Sequence, residues 1–303
     1  MRRIILALSF CPLVLLGEQT LSTNQESPDA MARRLGVVLP PLPWHLADVW
    51  WEFEKPVESF ERLEVEVNID RDVPESYNLY VAPVGLARIN GLDFYGGLQT
   101  NVNGWNSKKS RTRVHPGMGG IFSRWSRDKK TPIGLSHVRM VDGGLCESAG
   151  YEGQFCSVRR PFKWGKGTYV YSVSKGKVEN DKTWFDCSVL NKATGKETDV
   201  GGLLFEGKTF TFWARHSAFV EVYATSRIPR SGIPKVNVTF GYPLLNGIKP
   251  KLRKSWAYHP ATGVAGSPAC AEVRAVKDKV EVRVGPIFLR DPKKSSYPLE
   301  VLP

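Results

Sequence analysis

Residues 62–69, RLEVEVNI, alternate strictly: Leu63, Val65, Val67 and Ile69 hold one parity, Arg62, Glu64, Glu66 and Asn68 the other. Side chains on a β-strand change face at every residue, so this pattern predicts a strand with one dry and one wet face. No helical stripe, with its period near 3.6, fits it.

Working outward, short runs of the same character recur. Strands are predicted at 77–81, 94–100, 120–125, 137–141, 155–159, 168–174, 183–190, 208–214, 218–223, 235–240, 271–276 and 280–284. Between them lie turn signals such as Ser174-Lys175-Gly176-Lys177, Ala193-Thr194-Gly195 and Glu206-Gly207. Many short alternating strands with no long helical period imply an all-β fold, an antiparallel two-sheet sandwich of the concanavalin-like or jelly-roll kind. One short helix is expected before it. Ser27 can cap the helix, Pro28 suits its first turn, Arg33 and Arg34 suit its last, and Gly36 ends it. Pro40, Pro41 and Pro43 then make a stiff linker.

The expected organisation is a signal peptide at 1–17, the helix and linker at 18–43, the sandwich at 44–290 and a tail at 291–303. Arg2 and Arg3 precede an apolar run, Ile4 to Leu16, too short to span a bilayer of about 30 Å. The chain is therefore expected to be secreted or at the cell surface, without membrane insertion once the leader is removed. Cys11 would leave with that leader. The remaining Cys146, Cys156, Cys187 and Cys270 are even in number, so two disulfides are expected, with spacing favouring Cys146–Cys156 and Cys187–Cys270. Cys187 shares parity with Phe185 and Val189 and should point inward. Asn237-Val238-Thr239 is a glycosylation sequon if the host is eukaryotic.

The formal net charge is +12, with basic residues scattered rather than blocked. That balance suits solubility and also attraction to acidic polymers. No GxSxG elbow, HExxH, P-loop or dinucleotide fingerprint occurs, and no CxxC pair suggests zinc. No metal or cofactor is expected, and a nucleic-acid partner is not. Asn101-Val102-Asn103-Gly104 only faintly echoes a calcium loop. The five histidines are dispersed and read as solvated loop side chains.

Candidate contacts come from aromatics beside amides, the combination that gives sugars a flat platform and partners for their hydroxyls. Tyr95, Gln99, Asn101 and Trp105 form such a set, with Trp105 expected to be exposed. Phe94, Trp125 and Trp164 read as core. Arg124 and Arg159 are candidate partners for anions. Glu152, on a turn, and Glu221, which shares parity with Phe219 and Tyr223, are the carboxylates best placed to line a site. Each also has an ordinary alternative as a turn acid or an arginine partner.

Several of these residues fall into an ordered set: Tyr95-x-Gly97-x-Gln99, Phe122-Ser123-x-Trp125, Glu152-Gly153, Pro161-Phe162-x-Trp164-x-x-Gly167-x-Tyr169 and Phe219-x-Glu221. The set resembles the exported family filed as Domain of Unknown Function 3472, over roughly Trp44 to Gly285. The resemblance implies a secreted β-sandwich often found near carbohydrate-related proteins. It brings no established activity and no catalytic residues, and the four cysteines lie outside its pattern. The expected role is non-catalytic binding of a glycan or acidic surface polymer. The alternatives are a polysaccharide lyase or glycoside hydrolase using Glu152 or Glu221 on the same scaffold, and a structural surface or matrix protein.

Overall fold

The computed structural model describes residues 26–301 except 38, 40, 41, 224–231, 261–267 and 292. The expected signal peptide and linker residues Pro40 and Pro41 lie outside the described residues. The short helix α1 is Pro28–Arg34, with the Ser27 hydroxyl accepting from the Ala30 N–H at 3.2 Å.

Among the described residues all other regular structure is antiparallel β apart from two single 3-10 turns. The first sheet runs β18 (Ser296–Leu299), β15 (Leu252–Tyr258), β1 (Trp44–Phe53), β12 (Arg215–Val222), β3 (Leu79–Ile89), β4 (Leu92–Trp105), β5 (Arg113–Trp125), β8 (Phe155–Pro161) and β7 (Leu145–Ala149). The second runs β16 (Ala271–Val276), β17 (Lys279–Val284), β13 (Val236–Phe240), β2 (Arg62–Ile69), β9 (Gly167–Glu179), β10 (Lys182–Asn191), β11 (Glu197–Glu206) and β6 (Val138–Arg139). The two-residue β14 (Leu244–Leu245) pairs with β2 off this path.

The alternation in 62–69 is realised as read. Leu63, Val65, Val67 and Ile69 are buried completely, while Glu64, Glu66 and Asn68 are only partly covered. Against these residues the first sheet turns Trp51, Phe53, Val81, Leu98, Phe122 and Val220 inward. The centre is aromatic: Phe60, Phe94, Phe185, Phe205, Phe210 and Phe212 meet at centroid separations from 4.9 to 6.5 Å. Phe94 and Trp164 are core residues, as expected.

Sequence periodicity misses several strands. β1 reads WHLADVWWEF, with apolar residues on both parities, because a bulge between His45 and Ala47 resets the alternation. β15 lies between the strands predicted at 235–240 and 271–276, where no strand is expected, and β18 in the expected tail, so the sheet extends beyond residue 290. Conversely, 208–214 forms no strand. Phe212 there makes only isolated bridges to Val57 and Ile89.

The expected disulfides are absent: Cys146, Cys156, Cys187 and Cys270 are buried thiols. Cys187 does point inward on β10. Cys270, immediately before β16, is five strand positions from it across the second sheet. At about 4.8 Å per strand that is roughly 24 Å, beyond the reach of a disulfide. Cys146 faces Val158, and Cys156 faces Ser148, so these two sit on a diagonal rather than opposite each other. A sandwich with a core this large has no need of staples.

Candidate functional site

The outer face of the first sheet is not a uniformly polar surface. Tyr80, Ala82, Tyr95, Ile121 and Phe219 form a second apolar cluster there, with Trp125 and Tyr223 packed against it. It floors an open cavity of about 630 Å³. Tyr223 and Phe219 frame Glu221 on β12, so the parity argument that put these three on one face is realised in the cavity wall.

The floor exists because neighbouring strands are in register. Glu221 lies opposite His45 on one side and Tyr80 on the other, and Tyr80 lies opposite Gln99. Four strands thus place His45, Glu221, Tyr80 and Gln99 in one row across the sheet. At the far side Glu152 enters from a turn after β7, and its carboxylate accepts from the Tyr95 hydroxyl at 3.4 Å. Trp125 packs against Tyr95 at 4.5 Å between centroids, the rings tilted by 35°, and donates its indole N–H to the Glu152 carbonyl at 3.0 Å. Close strand approach underlies this geometry: a Cβ on Gly96 would sit 1.8 Å from the Tyr171 hydroxyl and 2.6 Å from the Ile121 carbonyl.

Electrostatics set the row's character. The Glu221 carboxyl, 12 % exposed, lies 4.0 Å from His45 Nε2, while His45 Nδ1 lies 3.0 Å from Asp48. Burial raises the Glu221 pKa; His45 pulls it down, Glu152 and Asp48 push it further up, and it stands at about 7. Burial by itself would lower the His45 pKa. The Asp48 hydrogen bond and the charges of Glu221, Asp48 and Glu152 outweigh it, raising that pKa to about 9. Glu152 is raised by burial, against the opposing influence of Arg159 and the Tyr95 hydroxyl. Near neutral pH the cavity therefore holds an imidazolium beside a carboxyl that readily exchanges its proton.

Tyr80 is 4 % exposed and its hydroxyl, at the cavity floor, has no hydrogen-bond partner among the described residues. Leaving a buried hydroxyl unpaired costs on the order of 1–3 kcal/mol, and an arriving polar ligand atom would repay it. Among the described residues no hydrogen bond engages the Gln99 side-chain amide either.

Of the expected contact residues, Tyr95, Gln99, Glu152, Arg159 and Glu221 line this cavity. Three do not. Asn101 is buried and structural, its amide donating to the Glu75 carbonyl at 2.6 Å and to Asn78 at 2.9 Å. Trp105 is half-buried rather than exposed, packed on the main core under the Arg111 guanidinium. Arg124 points between the sheets, paired with Glu206 at 2.9 Å and lying over the Phe205 ring. Residue type suggested all three; parity turns Arg124 inward opposite Phe94, while register shifts in β4 beyond Gln99 take Asn101 and Trp105 out of the row.

Arg159 is itself no open anion receptor. Its guanidinium is buried, donating to the Glu147 carboxylate and the Asn103 carbonyl. Its positive charge still bears on Glu152. Trp125, read as core, is instead a cavity wall. The histidines are not solvated loop residues: His45 is in the cavity, and His216 is fully buried, with Nε2 at 2.9 Å from the Pro83 carbonyl. His45 escaped sequence reading because the β1 bulge hid its strand, and Tyr80 because nothing local marks a tyrosine as unpartnered. The residues of the faint calcium echo, 101–104, lie within β4, and no cluster of three metal-ligating side chains occurs among the described residues.

No family model matches the chain, and no curated protein matches it. Among solved structures it is similar to scytalido-glutamic peptidase bound to a transition-state analogue inhibitor. The two chains are 8 % identical with a TM-score of 0.31, and the match covers 78 % of this chain and 97 % of that one. A likeness so distant lends the site no residue and no role.

Proposed function

We propose that this chain is an exported acid–base hydrolase whose cavity binds a glycan and cleaves a glycosidic bond, with Glu221 as proton donor and Glu152 as the second carboxylate. The observation that carries the reading is the convergence of both acids in one open cavity walled by Tyr95, Trp125, Phe219 and Tyr223. Glycoside hydrolysis needs a carboxylic acid on the leaving oxygen and a carboxylate for water or the anomeric carbon. Glu221, at about 7, keeps its proton in mildly acidic solution. Glu152, whose pKa burial raises while Arg159 and Tyr95 pull against that rise, takes the other part. The aromatic walls offer sugar rings a stacking surface, and the unpaired Tyr80 hydroxyl and the Gln99 amide offer partners for sugar hydroxyls. A groove of this kind speaks against a purely structural surface protein. Export rests on the leader sequence alone, since the buried thiols withdraw the support that disulfides would have given it.

A second reading draws on the register of Gln99 and Glu221 either side of Tyr80. A carboxylate that activates water, beside an amide N–H that stabilises a developing oxyanion, suits hydrolysis of an acyl bond. The experiment is to incubate the protein at pH 5–6 with neutral and uronic-acid polysaccharides and, separately, with an unfolded protein substrate. Reducing-end release that falls by about 100-fold or more in Glu221→Gln supports the first reading. New peptide termini with the same dependence would replace it with the second. Saturable glycan binding without product in either assay would reduce the site to a binding one.

A further inference from the structure

Along the same outer face, beyond the cavity, three tryptophans stand together. Trp50 on β1 lies opposite Ser217 of β12 and Trp256 of β15. Trp50 and Trp256 are stacked, 5.8 Å between centroids and 5° between planes, and Trp213 meets Trp50 edge-on at 6.4 Å. All three are half-buried, each keeping part of its ring in solvent. Parity puts them on the cavity's face, because Ser217 and Glu221 are four residues apart on one strand. At roughly 3.3 Å per residue the cluster lies about 13 Å from Glu221, two to three sugar units along an extended chain.

The charges around it are unbalanced. Glu52 is met by Arg215 at 3.0 Å, Arg253 at 3.2 Å and Lys254 at 3.7 Å. Asp93 is met by both Arg88 and Lys129. Two carboxylates thus face five cations, of which Arg88 and Arg215 lie over Trp213, Lys254 lies over Trp256, and Lys129 lies over Trp125 of the cavity wall. Aromatic faces rimmed by surplus cations suit a sugar ring that carries a carboxylate or sulfate: the apolar ring face stacks and the anion meets the cations.

We infer that the Trp50–Trp213–Trp256 cluster is a distal subsite for an anionic polysaccharide whose neighbouring units enter the Glu221 cavity. The inference rests on the glycan reading of that cavity and narrows its substrate to a polyanion. It is tested by binding rather than turnover. The full chain carrying Glu221→Gln is titrated with polygalacturonate and with a neutral glucan, at low and high salt. Trp256→Ala and Lys254→Glu are each added in turn, and Lys254, being exposed, keeps the fold safe in the second. Tighter binding of the polyanion, weakened about tenfold by either substitution and by high salt, is expected. Equal affinity for both polymers, unchanged affinity in the Lys254→Glu variant, or a dimer in sedimentation that Trp256→Ala dissolves would overturn it. Product release by the Trp-intact enzyme, measured separately, reports on the cavity reading alone.

Discussion

His45 and Glu221 govern each other's proton. Replacing His45 by Asn removes the one positive charge holding the Glu221 pKa down to about 7. The alkaline limb of the pH–rate profile, set by loss of the Glu221 proton, should therefore move to higher pH, and an unmoved limb would separate Glu221 from the reaction. Tyr80→Phe makes an opposite pair of demands. Because the hydroxyl has no partner among the described residues, its removal should leave the melting temperature unchanged or slightly raised. Glycan affinity should fall by about tenfold, the value of one hydrogen bond to a ligand. A lower melting temperature would show that the hydroxyl serves the fold instead.

At the scale of elements, the cavity floor depends on Gly96 leaving room for the Tyr171 side chain, which reaches across from the opposite sheet to the Ile121 carbonyl of β5. Gly96→Ala would drive a methyl group into the Tyr171 hydroxyl and the Ile121 carbonyl. Backbone and a buried ring cannot both yield, so a loss on the order of 1–3 kcal/mol in denaturant unfolding is expected. The turn bearing Glu152 is held differently, through Arg159 and Glu147 beneath it. Arg159→Met leaves the buried Glu147 with Arg113 and the Tyr151 hydroxyl as partners. It should cost about 3 kcal/mol in the same measurement, Arg113 and Tyr151 keeping the Glu147 charge from being left wholly uncompensated. Periodicity found β2 because one of its faces is wet. It missed β1 because a bulge and apolar residues on both faces leave no alternation to read.

For the whole molecule, the thiols and the buried histidines make the clearest statements. A reductant should leave the melting temperature unchanged, and alkylating agents should label Cys156 only after unfolding, since burial keeps its thiol protonated up to about 12. His216, fully buried, has its pKa lowered by burial to about 4. Above its unfolded value near 6.5 the imidazole is neutral in both states. As pH falls the unfolded chain takes the proton first, so stability declines between about 6.5 and 4, by up to about 3 kcal/mol from this residue. The His216→Gln protein should show a flatter decline across that window in pH-dependent thermal melts, whatever its absolute stability.

By itself, the sequence determined the sandwich. Alternating parity in stretches such as 62–69 is a local property of the chain, and only paired layers around an apolar centre satisfy it. It also put Phe219, Glu221 and Tyr223 on a shared face, since two-residue spacing needs no knowledge of neighbours. Which residues meet across strands was decided by tertiary structure alone. His45, Tyr80, Gln99 and Glu221 are up to 176 residues apart in the chain. Their row is made by strand order and register, set by packing over the whole core, and the same packing turned Arg124, Asn101 and Trp105 away from the site.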